Sequence, residues 1–296
     1  MRRLRWQGQL FCAAAILLCM LSTLLPRWDG RTELLLAVAL MSIFGVPHGA
    51  LDPLFAARLH RMSPARWALF GLAYAALAAS VVALWWAVPG VFLIGFLVIS
   101  SLHFSGDLRH GTSALARLFY GLSVVVLPAL LHEAEVAQLF AWLADAESAT
   151  QLAHLLHWAS WPCLLGLLVS ALLAARVDRQ TSIEMLAVMA VFVVATPLLG
   201  FTLYFCLMHS ARHTLRSQHY AQVSAGALVK AALLPLAGTA ALLAVAWTVA
   251  QTLAPEMTLD QRVIQVFFVA LAALTVPHMA LVERVRWSGW SLDVSP

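Results

Sequence analysis

Residues 183–211, IEMLAVMAVFVVATPLLGFTLYFCLMHSA, are apolar almost throughout, with Glu184 near the start and Pro197 and Gly200 in the middle. As one helix the stretch would be about 40 Å long at ~1.5 Å per residue, which suits a single tilted crossing of a bilayer better than two full ones. Charge argues the other way. If Pro197 and Gly200 break the stretch into two short crossings, fifteen of the eighteen Lys and Arg fall on the side of the N-terminus, and only Arg27, Arg31 and Arg262 face the other side. That is the positive-inside pattern of a cytoplasmic N-terminus. With one crossing the split is eleven against seven. The favoured reading is two crossings or a broken helix pair, with nine spans as the alternative to ten.

Outward from this stretch, apolar runs recur at residues 10–26, 33–49, 67–88, 90–106, 114–131, 152–175, 227–250 and 261–282. Each is a helix by default, because a lipid-exposed backbone must satisfy its own hydrogen bonds. The fold class expected is an all-α polytopic membrane bundle of nine or ten spans, a single multi-pass domain over 1–296. Of the 296 residues 62% are hydrophobic and only 11% charged, where soluble domains carry about 25% charge. Soluble enzymes, nucleic-acid binders and secreted disulfide scaffolds are excluded, and the formal charge of +4 reflects topology rather than an acidic partner. The basic opening Met1-Arg2-Arg3-Leu4-Arg5 leads into an uncleaved first span, since no small-residue cleavage site follows. Cys12, Cys19, Cys163 and Cys206 lie in apolar segments without CxxC pairing and read as packing residues. Residues 132–150 read as an acidic external segment, with 136–143 lying in the interface. The tryptophans gather at span ends as an aromatic belt, a minority being candidates to line a tunnel.

Ionisable groups inside spans are costly and mark functional cavities. Here they sit at helix ends: Gly45-Val46-Pro47-His48-Gly49-Ala50-Leu51-Asp52, Leu102-His103-Phe104-Ser105-Gly106-Asp107, His209-Ser210-Ala211-Arg212-His213 and Val276-Pro277-His278-Met279. His209 and His213 are spaced i, i+4, so on a helix both imidazoles leave one face and can bind one cation. In the ten-span chain His48, His103, His209, His213 and His278 all lie toward the cytoplasmic ends of their helices. Imidazole suits iron, zinc or copper, and the lack of a nearby thiolate disfavours structural zinc. Asp52 and Asp107 each follow a helix-end histidine by four residues and are natural acceptors for the outer N–H of a metal-bound imidazole. The bland alternatives are interfacial histidines and ordinary loop acids. Gly45 and Gly49 around Pro47 permit a broken helix end. His60, His110 and His219 read as loop residues, and His132, His154 and His157 as interfacial or solvated. Arg212 is expected to snorkel toward water or to pair with Asp107.

GVPHGALD, the HF element at His103, HSARH and the late PHM together resemble the bacteriorhodopsin-related-protein (Brp/Blh) family of membrane β-carotene 15,15'-dioxygenases, over about residues 40–285 and in the family's order. The resemblance implies an iron-dependent enzyme that splits β-carotene with O2 at its central double bond into two molecules of retinal. It implies Fe(2+) held by His48, His103, His209 and His213, with His278 in a further family motif. It also implies residence in the cytoplasmic membrane and, in some members, a rhodopsin that accepts the retinal. The spacing of His103 to Asp107 is the point at which this chain is expected to depart from other members. Readings from other classes are a histidine-box desaturase or hydroxylase, a transporter whose histidines relay protons, and a non-catalytic pigment-binding assembly partner. A desaturase would need more closely spaced histidines than one HxxxH, and a proton relay would need acids at mid-span rather than at helix ends.

Overall fold

Prolines and short polar side chains cut the chain into helices. In the computed structural model, which describes residues 2–109 and 111–285, these are α1 (Arg2–Leu24), α2 (Gly30–Leu40), α3 (Asp52–Leu59), α4 (Pro64–Ala87), α5 (Pro89–Phe104), α6 (Ala114–Val126), α7 (Pro128–Ala141), α8 (Ala146–Ala174), α9 (Arg179–Val194), α10 (Pro197–Leu203), α11 (Ala211–Ala221), α12 (Ala225–Leu253) and α13 (Leu259–Val285). His110 lies outside the described residues, among which there is no strand. Ser63, Asp145 and Ser224 cap α4, α8 and α12 by accepting a backbone N–H from three residues on. Pro64, Pro128 and Pro197 occupy first turns, where the missing N–H costs nothing.

Leu24, Leu72, Trp86 and Leu234 are among many large apolar side chains left exposed, while Asp107, Glu184, Arg212 and five histidines of the sequence motifs are buried. Apolar outside and ionisable inside is the arrangement lipid imposes. Seven helical segments are long and apolar enough to cross a membrane, and the pair α6 and α7, bent by 43°, makes an eighth if counted as one span. The protein is a multi-pass membrane protein. The expected nine or ten spans require the 183–211 stretch in addition. That stretch is a broken helix pair: α9 stops at Val194, Thr196 precedes Pro197, and α10 begins, whereas Gly200 lies inside α10 and breaks nothing. Residues 132–150 are the acidic segment expected to be external. They are helical in α7 and α8 apart from a short turn, because α7 packs along α8.

The described chain forms two compact units, residues 2–45 with 93–212 and residues 46–92 with 213–285. In the first, α1 packs on α9 and α8 packs on α6, α7 and α9. Gly121 lets α6 approach closely, since a Cβ there would lie 2.0 Å from the Ser101 carbonyl. In the second unit α13 is central, with α3, α4 and α12 against it.

Candidate metal centre and substrate cavity

Two helix ends in the first unit leave regular geometry beside the histidine motifs. α2 runs into a π-helical turn, Met41–Gly45, and α10 into a second, Tyr204–Ser210, which carries His209. Such turns strand backbone carbonyls and recur at functional sites. Here the Ser210 hydroxyl donates to the Phe44 carbonyl (2.7 Å), with the Gly45 carbonyl at 3.0 Å. Phe205 fills the place a Cβ of residue 45 would take, 2.4 Å away, so Gly45 is needed for the approach.

His209 is 1% exposed, its ring stacked on Phe205 (12° between planes) and met edge-on by Phe104. Its Nδ1 lies 3.0 Å from both oxygens of Asp107, and Tyr204 Oη donates to Asp107 Oδ2 at 2.6 Å. With Nδ1–H given to Asp107, the His209 Nε2 presents a lone pair; the Nε2 of His103 is 3.0 Å from it. Asp107 sits in a 3-10 turn, Ser105–Asp107, that follows α5 directly. It therefore serves His209 rather than His103 four residues before it, because the change of helical pitch turns its side chain off that face. Arg212 does not snorkel. It is 2% exposed and binds Glu184 through two nitrogens (3.0 and 2.9 Å), the Gln7 side chain (2.9 Å) and the Asp107 carbonyl (3.1 Å). Its directly bonded charge partner is thus Glu184 of α9, while Asp107 binds it through the backbone carbonyl and adds its negative charge nearby.

The second unit holds three more of the predicted imidazoles. His48 lies in the 3-10 segment Val46–Leu51, His213 in α11 and His278 in α13 directly after Pro277. All three are buried, with ring centroids 5.2, 5.2 and 4.9 Å apart. His278 Nδ1 is 2.7 Å from Asp52 Oδ1, and Tyr74 Oη donates to Asp52 Oδ2 at 3.0 Å. Each unit thus contains a tyrosine–aspartate–histidine relay. Asp52 serves His278 across 226 residues of sequence, not His48 four residues before it. A cavity of about 440 Å³ runs from His48, Asp52, Tyr74 and His278 between α4, α12 and α13. Its remaining walls are almost wholly apolar, and among the described residues no tryptophan lines it.

The other histidines divide. His60, His154 and His219 are exposed, as expected of loop and interfacial groups, whereas His132 is 6% exposed at a non-helical kink within α7. All four cysteines are free. Sequence reasoning missed Tyr74, Tyr204, Gln7 and Glu184. Of these only Glu184, an acid inside an apolar stretch, carried a signal.

The family model described as "Beta-carotene 15,15'-dioxygenase" matches residues 39–286 of this chain. The chain belongs to the β-carotene 15,15'-dioxygenase family. A curated relative from the uncultured marine bacterium 66A03, named "Beta-carotene 15,15'-dioxygenase", is 29% identical over 260 residues, 84% of this chain and 92% of the relative. No solved structure matches the chain. The protein is accordingly an enzyme, an oxygenase of carotene cleavage, and the transporter and assembly-partner readings fall away. Buried imidazoles whose outer nitrogens are held by carboxylates are the donors a transition metal requires, and both units supply them.

Proposed function

We propose that the protein binds Fe(2+) through His48, His103, His209 and His213 and uses O2 to cleave β-carotene at its central 15,15' double bond into two molecules of all-trans-retinal. The observation that carries the iron reading is the facing pair of nitrogens on His103 and His209, 3.0 Å apart with one partner's Nδ1 committed to Asp107. Two imidazoles about 2.1 Å from one ion and at right angles to each other put their nitrogens about 3.0 Å apart. The donor set therefore fits the metal that the family resemblance implies. His278, with its Nδ1 on Asp52, supports the site as an additional imidazole.

The chain's own contribution is orientation and exclusion of water. Asp107 and Asp52 accept the Nδ1–H of His209 and His278, which fixes the tautomer with the lone pair on Nε2; Tyr204 and Tyr74 fix the carboxylates in turn. The aromatic rings of Phe104 and Phe205 hold the His209 plane. The apolar cavity gives a hydrocarbon a dry place beside His48 and His278 and holds it for reaction. Iron, when bound, supplies the redox-active Lewis acid at which O2 reacts with the alkene, each oxygen atom ending in one of the two aldehydes. No side-chain nucleophile or general base is called for. The arginine distribution supports a cytoplasmic N-terminus, and the family resemblance supports residence in the cytoplasmic membrane, where a retinal-accepting rhodopsin would meet the product.

The test is metal analysis paired with cleavage assays on purified protein. The wild type should retain iron and yield retinal, and His48→Ala should lose both. Full activity with iron retained in His48→Ala would remove that residue from the ligand set.

A further inference from the structure

The cavity of the second unit has a buried end and an exposed end. Its inner end is formed by His48, Asp52 and His278, all buried, while Gly71 of α4 and Gly238 of α12 line it and are exposed. α4 and α12 both pack on α13, and the cavity occupies the space they leave. α4 buries none of its residues, so in a membrane its free faces meet lipid. Gly71, Ala75 and Ala78 recur at spacings of four and three, one face of a helix, and all three line the cavity. A Cβ at Gly71 or at Gly238 would meet no atom within 4 Å. Helical glycine is unfavourable on propensity alone, and neither glycine is required by a close neighbour. What their absent side chains leave is width.

We propose that the gap between α4 and α12 is a lateral portal through which an apolar polyene passes from the bilayer to His48 and His278, with Gly71 and Gly238 setting the width of end group admitted. The inference rests on the carotenoid reading above. β-Carotene is a thin rod closed at each end by a ring, so its ends, rather than its polyene, set the clearance the portal must give. Along the cavity walls of α4 and α12 the side-chain polar atoms belong to Tyr74 and Thr239, and the Tyr74 hydroxyl is already directed at Asp52. A hydrocarbon therefore slides past without stripping water from charges. Pro235 and Pro277, each inside a helix lining or adjoining the cavity, remove a backbone N–H from α12 and α13, which favours bent walls rather than straight packing.

The test uses Gly71→Phe and Gly238→Phe in full-length protein reconstituted in lipid nanodiscs. The rate of uptake by the metal-free protein is followed by stopped-flow through the polyene absorption band, and iron content and melting temperature are measured alongside. The probes are β-carotene and an acyclic C40 polyene of equal length without rings. Each substitution should slow β-carotene uptake by about tenfold or more and acyclic uptake by less than about threefold, with iron content and melting unchanged. Gly71→Leu and Gly238→Leu, smaller fillings of the same space, serve if a phenylalanine variant does not fold. A wild-type uptake rate for β-carotene in folded variants, or equal slowing for both polyenes, would overturn the portal. Failure of the wild type to cleave β-carotene while the uptake differences persist would instead count against the proposed function and leave the portal standing.

Discussion

His209 is fixed in three ways at once: a stacked Phe205, an edge-on Phe104 and an anionic acceptor for its Nδ1–H. Asp107→Asn keeps the shape but removes the charge, and iron affinity should fall by about 10–100-fold in a competition titration with a chelator. Unchanged affinity would mean that Asp107 does not act through His209. Arg212 and Glu184 are both buried and joined by two hydrogen bonds. Glu184→Ala strands a guanidinium and should cost about 3–5 kcal/mol, read as a lower melting temperature in detergent. The histidines and aspartates were legible because ionisable residues are rare in this chain and fall in short motifs. Their pairings were not. Each aspartate follows a helix-end histidine by four residues, and nothing in that spacing indicates that Asp52 binds His278 or that Asp107 binds His209. Tyr74 and Tyr204 were invisible because a tyrosine in an apolar run looks like any other packing residue.

Elements ending at prolines and capping residues could be read directly: the break before Pro197 follows from its missing N–H, and the starts of α4 and α10 likewise. The π turns at Met41–Gly45 and Tyr204–Ser210 could not, since no local residue pattern marks them and tertiary contacts stabilise them. The packing of α7 along α8 could not be read either, since the acids of α7 hide how closely the two helices approach. The close passage of α6 against α5 gives a sharp test. Gly121→Ala puts a methyl group on the Ser101 carbonyl and should destabilise by about 1–3 kcal/mol, measured by thermal unfolding in detergent. At the start of α9, burial alone would raise the Asp178 carboxyl, but hydrogen bonds from Thr181 and Arg109, the charge of Arg109 and the Gln180 amide hold it below its ordinary value. A depressed carboxyl stabilises the fold above its unfolded pKa, about 3.9, and loses that contribution as pH falls through the lower folded value. Asp178→Asn should therefore lower stability at neutral pH and flatten the acid limb of a stability–pH profile. An acid limb identical to wild type would show that the interaction is fully screened.

At the scale of the molecule, scarcity of charge declares a membrane protein and the placement of the few charges declares a site. The interior is polar where histidines, carboxylates and Arg212 converge within their units, and the outside is apolar where lipid lies. The family match makes the chain an oxygenase of carotene cleavage, and these clusters its proposed site. What the sequence could not convey is the cavity, because its walls come from α4 and, more than a hundred residues later, from α12 and α13. The most direct test of the central claim is expression of the protein in a bacterium engineered to accumulate β-carotene, with pigment and retinal measured in cell extracts. Bleaching of the orange pigment with retinal as the cleavage product is the expected result; unchanged pigment in cells containing folded, iron-loaded protein would contradict the account.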